Sequence, residues 1–209
     1  REYAEVEPVI GAYRQLRTQV LLAMRRSGWT SLGITSPGMA EGKTLTAINL
    51  AISLAMDVNH TVMLADLDLR RPGVHRAFGL EERPGLSDYL ISNADLRGLL
   101  FNPGIPRLVV LPAGQPLPNS SEMLSSPRMN QLVEEVKTRY PARIVLFDLP
   151  PLLAADDVLA FSPQLDAVLL VAKEGRTRKK ELEAAAEMLH GVPVIGPVLN
   201  KARAKIRVY

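Results

Sequence analysis

The feature that most constrains the fold of this chain is a short polar loop that joins a strand-like apolar run to a helix-forming run. The apolar run is residues 32–35, the loop reads SPGMAEGKT over residues 36–44, and the helix-forming run is residues 45–56. When a Gly-rich loop opens a helix in this way, its backbone N–H groups point at an anion, a lysine adds positive charge and a threonine hydroxyl can bind Mg²⁺. An ordinary polar turn is the alternative, but the order of strand, Gly-Lys-Thr and helix favours a phosphate-binding loop.

The loop departs in one place from the pattern G-x-x-x-x-G-K-[ST] that such loops follow. Pro37 stands where the pattern has its first glycine, and Gly38 comes one position later. We therefore expect Gly38 to make the turn. The residues predicted to contact phosphate are Gly38, Met39, Ala40, Glu41, Gly42, Lys43 and Thr44.

Length, composition and charge narrow the class of protein. The chain has 209 residues, of which 47% are apolar, so it can bury the core of one large domain or two small ones. Its apolar runs are far shorter than the roughly 18 residues of a membrane span. The absence of cysteine excludes disulfides and thiolate chemistry, and a net charge of +3 does not by itself indicate nucleic-acid binding, so we expect no nucleic-acid partner. Because residue 1 is Arg rather than Met, we expect a fragment, and a transmembrane portion could precede it in the parent protein.

Predicted strands and helices alternate along the chain. Besides residues 32–35, the predicted strands are residues 60–65, 108–111, 144–147, 167–171 and 194–199. The predicted helices are residues 8–27, 45–56, 122–140 and a stretch around 182–189, with short helices and turns over residues 71–104. This alternation predicts an α/β fold with a mostly parallel central sheet and helices on both faces.

Polar side chains follow several of the predicted strands at the point where each ends. Asp66 and Asp68 follow one strand, Asp148 follows another, and Asn200 follows the last. In parallel sheets, ligands bind at the carboxyl ends of the strands. Mg²⁺ prefers oxygen ligands and needs only one or two carboxylates beside the phosphates of a substrate. A single such aspartate is commonly a turn or capping residue, but two acidic sites after a Gly-Lys-Thr loop predict a site for Mg²⁺ and a nucleotide.

Three motifs carry a family resemblance: the loop at residues 38–44, the segment MLADLDLRRP at 63–72 and the segment VLFDLPP at 145–151. Softer matches lie at residues 13–18, 75–80, 85–90, 111–114 and 198–200. Together they resemble the bacterial tyrosine kinase family, the P-loop autokinases of capsule and exopolysaccharide export, over about residues 8–203. The resemblance implies a P-loop NTPase-like fold, with residues 1–209 as a single kinase domain that converts ATP and protein tyrosine to ADP and phosphotyrosine.

The resemblance implies a role for each site residue. Lys43 would contact the β and γ phosphates of ATP, and Asn200 would help to hold the adenine. Mg²⁺ would be bound by Thr44, Asp68 and Asp148, and Asp66 would accept the proton of the incoming tyrosine hydroxyl. The roles of Asp66 and Asp68 can be exchanged, since either carboxylate could be the base and the other the Mg²⁺ ligand. The reaction would be an in-line phosphoryl transfer that depends on positioning and charge neutralisation.

The phosphate acceptors of the family are tyrosines that cluster near the C-terminus. In this chain Tyr209 is the tyrosine at that end, and it is the last residue of a basic segment over residues 201–209. The resemblance makes Tyr209 the expected acceptor, and we expect the natural tail to continue beyond it.

The predicted helix over residues 8–27 carries part of the family's assembly motif, Glu-x-x-Arg-x-x-Arg. Arg14 and Arg17 match it, but Gly11 stands at the glutamate position, and Glu7 is the nearest acid one turn earlier. The resemblance implies subunits that phosphorylate one another within a ring. Ring assembly by this chain is left open because the carboxylate partner of the arginines is replaced, and a solvated helix face is the alternative for both arginines.

The resemblance also implies partners and a location. The partners would be a second copy of the chain, a membrane polysaccharide co-polymerase portion or activator, and a cognate phosphotyrosine phosphatase. The location would be the cytoplasmic face of the bacterial inner membrane. Asp156 and Asp157 are predicted to lie in a loop that senses the γ-phosphate, with helix capping as the alternative.

Two other functions remain open at this stage. A ParA/MinD-like ATPase is disfavoured because Gly38 stands where those proteins carry a second lysine. A nucleotide-gated regulatory module with little kinase activity would share the same nucleotide site.

Overall fold

The computed structural model describes residues 2–202 of the chain. The strands are β1 (Ser31–Thr35), β2 (Thr61–Asp66), β3 (Leu108–Leu111), β4 (Arg143–Asp148), β5 (Ala167–Lys173) and β6 (Val194–Asn200). The helices are α1 (Glu2–Ser27), α2 (Lys43–Ala55), α3 (Val74–Ala77), α4 (Leu86–Ser92), α5 (Leu96–Leu99), α6 (Ser120–Leu124), α7 (Pro127–Thr138), α8 (Asp157–Phe161) and α9 (Lys179–Met188). The predicted α/β fold is confirmed.

The six strands form one sheet in the order β3-β2-β4-β1-β5-β6, and the neighbouring strands are parallel. Their carboxyl ends therefore lie along one edge of the sheet. The register pairs Asp66 at the end of β2 with Asp148 at the end of β4, and Ile34 of β1 also pairs with Asp148. The two strand-end aspartates and the loop after β1 are thus neighbours because of the strand order.

Each face of the sheet is covered by its own hydrophobic cluster. On one face, Leu32 and Leu64 pack with Leu50 of α2 and Val20 of α1. On the other face, alternate strand residues such as Phe147 pack against α4, α7 and α8. Because both faces are covered, the strands read as nearly continuous apolar runs rather than as alternating ones.

The predicted helix over residues 122–140 is wrong in one respect, because the structure has two helices there. α6 ends at Leu124 and α7 begins at Pro127. The Ser126 side chain accepts a hydrogen bond from Met129 N at 3.2 Å, which caps α7, and proline is favoured in the first turn of a helix.

α1 begins at Glu2, before the predicted start at residue 8, and continues through Pro8. The apolar residues of α1 are buried towards its C-terminal end, at Val20 and Met24, whereas Val9 is 52% exposed. No helix within residues 2–202 combines the length and the apolar character that crossing a bilayer requires.

Candidate functional site

Lys43 lies at the centre of a cluster of acidic side chains at the carboxyl edge of the sheet. Its Nζ lies 2.8 Å from Asp68 Oδ2 and 3.6 Å from Asp148 Oδ1, and it donates to Thr44 Oγ1 at 3.3 Å. Asp66 and Asp148 are fully buried and Asp68 is nearly so. Burial alone would lower the pKa of Lys43, but the charges of Asp148 and Asp68 outweigh it and raise that pKa. The structure therefore brings one buried lysine and three carboxylates into a single cluster.

Two residues of the loop before α2 have left-handed backbone angles, and neither of them is Gly38. Ala40 has a φ of +59° and Gly42 a φ of +94°, whereas Gly38 is not in the left-handed region. Gly38 lies in a bend, but its backbone angles do not require glycine, and its role in the turn stays a prediction. A Cβ at Gly42 would lie 2.0 Å from Asn200 Nδ2, so both the backbone angle and the neighbouring side chain require glycine here.

Glu41 is a buried residue that anchors the loop through its side chain. Its Oε2 accepts a hydrogen bond from Gly38 N at 3.1 Å, and its Oε1 accepts one from Thr177 Oγ1. Asn200 Nδ2 donates to the Glu41 carbonyl oxygen at 2.9 Å. The Glu41 carboxylate thus fixes the loop to the segment after β5, and Asn200 supports the same loop from the end of β6. The adenine contact of Asn200 stays a prediction.

Thr177 is a residue that the sequence reasoning missed. Its hydroxyl donates to Glu41 and accepts a hydrogen bond from Lys173 N at 2.8 Å. It lies within the basic segment 176–180, where nothing distinguishes it from a solvated surface residue. Met39, which is 48% exposed, contacts Arg71, whose Nη1 lies 2.9 Å from its Sδ.

Asp66 holds the backbone of the loop that follows β2. Its Oδ2 accepts hydrogen bonds from Gly73 N at 3.0 Å and Val74 N at 2.9 Å, and its Oδ1 accepts one from Asp68 N at 3.1 Å. Burial raises the pKa of Asp66 to about 6, although the N–H groups of Val74 and Gly73 oppose the rise. A carboxylate has about four acceptor sites, so one acceptor position on Oδ1 remains after these three bonds.

Asp148 is the least satisfied carboxylate of the cluster. Within the part of the chain that the structure describes, no donor meets either of its oxygens with hydrogen-bond geometry. Burial raises its pKa to about 7, and the charge of Asp66 adds to the rise, while Lys43 and the nearby Thr44 hydroxyl oppose it. A buried carboxylate without hydrogen bonds is costly, so this position suits a cation that binds from the open side of the cluster.

The cluster fits Mg²⁺ rather than a metal held by protein ligands alone. In residues 2–202, no three His, Asp or Glu side chains are arranged to hold a metal ion by themselves. Mg²⁺ is commonly bound by one or two carboxylates and completes its shell with waters and substrate phosphates. Asp148, Asp68 and Thr44 provide oxygens of that kind.

Arg70 bridges to the pair of aspartates predicted to sense the γ-phosphate. Its Nε lies 2.9 Å from Asp157 Oδ2, and its Nη2 lies 3.3 Å from Asp156 Oδ1. Asp156 precedes α8 but makes no side-chain capping bond. Sequence reasoning did not find this bridge.

The residues predicted to take part in assembly lie on α1. Arg14 Nη1 lies 3.9 Å from Glu7 Oε1 in a largely exposed pair, and Arg17 Nη1 donates to the Ser53 carbonyl oxygen at 3.0 Å. Arg17 therefore helps to dock α1 on α2 within the chain. Tyr209, the predicted phosphate acceptor, lies outside the described residues.

Two open cavities are lined in part by residues of the loops that follow β1 and β2. One, of about 280 Å³, is lined by Pro37, Gly38, Met39, Glu41, Leu153, Ala154, Arg176 and Glu181. The other, of about 650 Å³, is lined by Arg70, Arg71, Pro72, His75, Arg76, Leu80, Glu81, Glu82 and Pro116. The first lies beside the loop before α2. The second is lined by a segment that begins at Arg70, two residues after Asp68.

Comparison with known proteins identifies the family. No protein-family model matches the chain. It is 37% identical over 190 residues to the tyrosine-protein kinase YwqD of Bacillus subtilis, covering 90% of this chain and 79% of that protein. It is 33% identical over 196 residues to the putative tyrosine-protein kinase EpsB of Ralstonia solanacearum, of which it spans only 26%.

Solved structures agree with these relatives. The kinase domain of the Escherichia coli tyrosine kinase ETK superposes with a TM-score of 0.85 at 33% identity, covering 96% of this chain and 79% of that one. The septum site-determining protein MinD of Pyrococcus horikoshii, complexed with Mg-ADP, matches at a TM-score of 0.67 and 18% identity, covering 84% and 72%, and shows a shared fold alone. The relatives therefore support the kinase assignment over a ParA/MinD-like ATPase. This chain belongs to the bacterial tyrosine kinase family and is a protein-tyrosine kinase with a P-loop NTPase-like α/β fold.

Proposed function

We propose that residues 1–209 form a single kinase domain that binds Mg-ATP at the loop over residues 38–44 and transfers the γ-phosphoryl group to a tyrosine near the C-terminus of a second copy. The observation that carries this proposal is the buried cluster in which Lys43 lies 2.8 Å from Asp68 and 3.6 Å from Asp148. The cluster lies at the N-terminus of α2, where backbone N–H groups favour an anion.

Lys43 has two sets of partners in this proposal. Without a nucleotide, its ammonium group is neutralised by Asp68 and Asp148. The β and γ phosphates carry more negative charge than these carboxylates, so Lys43 would turn to them. Asp68 and Asp148 would then be free to bind Mg²⁺ together with Thr44, and the Mg²⁺ would neutralise charge on the phosphates.

Asp66 suits the role of proton acceptor for the tyrosine hydroxyl. A general base works best when its pKa lies near the working pH, and burial raises the pKa of Asp66 to about 6. Its three backbone hydrogen bonds hold it in place and leave an acceptor position on Oδ1. Asp68 bonds a cation already, through Oδ2, which supports its assignment to Mg²⁺.

The test is incubation of the chain, carrying its full natural tail, with ATP and Mg²⁺, followed by detection of phosphotyrosine. We expect phosphotyrosine on the wild-type chain and none on Lys43→Met. Tyr209→Phe should lose the signal if Tyr209 is the main acceptor. Tight nucleotide binding without phosphotyrosine and without hydrolysis would contradict the proposal and would indicate a regulatory module instead.

Transfer between copies can be tested by mixing. A Lys43→Met chain with an intact tail should become phosphorylated when a wild-type chain of different length is added. Arg14→Ala and Arg17→Ala should reduce this transfer if α1 mediates assembly, and unchanged transfer would exclude that role. Asn200→Ala should weaken ATP binding more than inorganic phosphate binding if the Asn200 amide holds the adenine.

The family resemblance supports a wider setting. We propose that the kinase acts at the cytoplasmic face of the bacterial inner membrane, controls exopolysaccharide or capsule synthesis and export, and is reversed by a phosphotyrosine phosphatase. Its membrane partner would be a polysaccharide co-polymerase portion or activator. Replacing Lys43 by Met in the parent gene should change the amount or length of the surface polysaccharide, and an unchanged polysaccharide would refute this setting.

A further inference from the structure

Arg70 joins the two segments that carry the proposed Mg²⁺ ligands. It follows Asp68 by two positions, and its partner Asp157 is the first residue of α8, at the end of the segment that starts after Asp148. The Arg70 Nε to Asp157 Oδ2 distance is 2.9 Å, and the two residues are 87 positions apart in sequence. The bridge therefore connects two loops that the sequence keeps separate.

The two aspartates that contact Arg70 lie in different environments. The Asp157 side chain is fully buried, whereas that of Asp156 is 70% exposed. Among the described residues, Asp157 Oδ1 has no hydrogen-bond partner, and Arg70 is the cation that pairs with this carboxylate. Removing one partner of a buried pair is strongly unfavourable, whereas an exposed pair contributes little. The bridge therefore depends on Asp157 and not on Asp156.

The segment between Asp148 and Asp157 is itself attached to β1 and to the phosphate-binding loop. The attaching hydrogen bonds run from Leu149 N to Ile34 O at 2.9 Å, from Leu152 N to Ser36 O at 2.9 Å and from Leu153 N to Pro37 O at 3.1 Å. The Asp68 segment is attached to the same loop through Lys43. The Arg70–Asp157 ion pair is therefore a second connection between the Asp68 segment and the Asp148 segment, in addition to the one through Lys43.

We propose that Asp157 is a positioning residue that holds Arg70 and thereby fixes the Asp68 segment at the spacing from Asp148 that a shared Mg²⁺ needs. This inference rests on the proposed Mg-ATP site. When the bridge is lost, the phosphate-binding loop keeps its own contacts, because Glu41, Thr177 and Asn200 hold it independently. Breaking the Arg70–Asp157 bridge should therefore weaken nucleotide binding only where that binding depends on Mg²⁺.

The test compares Asp157→Asn with the matched variant Asp156→Asn in the whole chain. Binding of a fluorescent ADP analogue is measured in EDTA and across a Mg²⁺ titration, and tyrosine phosphorylation is measured across the same titration. We expect the half-saturating Mg²⁺ concentration to rise at least fivefold in Asp157→Asn and less than twofold in Asp156→Asn. Binding in EDTA should equal that of the wild type in both variants. An unchanged Mg²⁺ requirement in Asp157→Asn, or an equal rise in Asp156→Asn, overturns the inference.

A second pair of variants keeps the test valid if Asp157→Asn does not fold. Arg70 is 42% exposed, so neither Arg70→Lys nor Arg70→Gln leaves a cavity in the core; Arg70→Lys also keeps a positive charge beside the buried Asp157, whereas Arg70→Gln leaves that carboxylate unpaired and is the more severe variant. We expect Arg70→Gln to raise the Mg²⁺ requirement at least fivefold and Arg70→Lys to restore part of it, because lysine keeps the charge. A lowered thermal midpoint with an unchanged Mg²⁺ requirement would show a merely structural bridge and overturn the inference. A wild-type chain that binds Mg-ADP but makes no phosphotyrosine would contradict the proposed function, and the comparison of Mg²⁺ binding would still decide this inference.

Discussion

Replacing Gly42 by alanine tests whether the phosphate-binding loop requires glycine at this position. Gly42 has a φ of +94°, and an added Cβ would lie 2.0 Å from Asn200 Nδ2. The variant therefore combines a strained backbone angle with a contact that displaces the Asn200 side chain. Displacement also breaks the hydrogen bond from Asn200 Nδ2 to the Glu41 carbonyl oxygen.

The expected loss of stability follows from these two contributions. An alanine in the left-handed region costs about 1–2 kcal/mol. The loss of one hydrogen bond costs about 0.5–1.5 kcal/mol. Together they predict that Gly42→Ala lowers the free energy of unfolding by about 1.5–3.5 kcal/mol, which corresponds to a midpoint about 3–14 °C lower for a chain of this size.

Gly38→Ala is the matched control, because a Cβ at Gly38 would meet nothing closer than Glu41 Oε1 at 3.7 Å, and its φ is not in the left-handed region. Urea unfolding and thermal unfolding of both variants give the comparison. We expect the stability of Gly38→Ala to stay within about 0.5 kcal/mol of the wild type. The double variant Gly42→Ala with Asn200→Ala removes the contact and keeps the backbone strain.

Two results would refute this reasoning. Equal destabilisation by Gly38→Ala and Gly42→Ala would show that neither the angle nor the contact at Gly42 matters. Full additivity in the double variant would show that the Cβ does not meet Asn200, since residues in contact are expected to be non-additive.

Three further predictions follow from single contacts. Burial raises the pKa of Asp148 from 3.8 to about 7, so the unfolded chain loses this proton at a lower pH than the folded chain does. The free energy of unfolding should therefore fall as the pH rises from 4 to 7, by up to about 4 kcal/mol. Asp148→Asn should therefore be the more stable protein at pH 8 but not at pH 4 in urea unfolding, while losing tyrosine phosphorylation; equal stability at both pH values would contradict this. Ser126→Ala should cost about 1 kcal/mol through loss of the α7 cap, and Ser125→Ala, whose exposed hydroxyl bonds only nearby carbonyl oxygens, should cost less in the same assay. Thr177→Val should cost about 2 kcal/mol and weaken nucleotide binding, because it removes the bond to the buried Glu41 carboxylate, and an unchanged nucleotide affinity would argue against this anchor.

The strands of the sheet and the polar residues at their carboxyl ends could be predicted from the sequence. Apolar runs that end in aspartate gave the positions of β2 and β4, and parallel strands place their carboxyl ends together. The strand order then brings Asp66 beside Asp148. The break between α6 and α7 could also have been predicted from the sequence, because Ser126 followed by Pro127 is a typical helix start.

The contacts that hold the site together could not be predicted. The bond between Thr177 and Glu41 joins residues 136 positions apart, and the bridge between Arg70 and Asp157 joins residues 87 apart. Neither pair belongs to a periodic pattern, and each depends on the paths of two loops. The three N–H groups around Asp66 depend in the same way on the loop conformation that the sequence leaves undetermined.

The position of Asn200 has a consequence for synthesis of the chain. Asn200 ends β6, an edge strand and the last of the six strands along the chain, yet its amide supports Glu41, which is translated 159 positions earlier. A nascent chain on the ribosome therefore holds residues 38–44 long before it can complete their support. That support is complete only after β6 has left the ribosome and has joined the sheet.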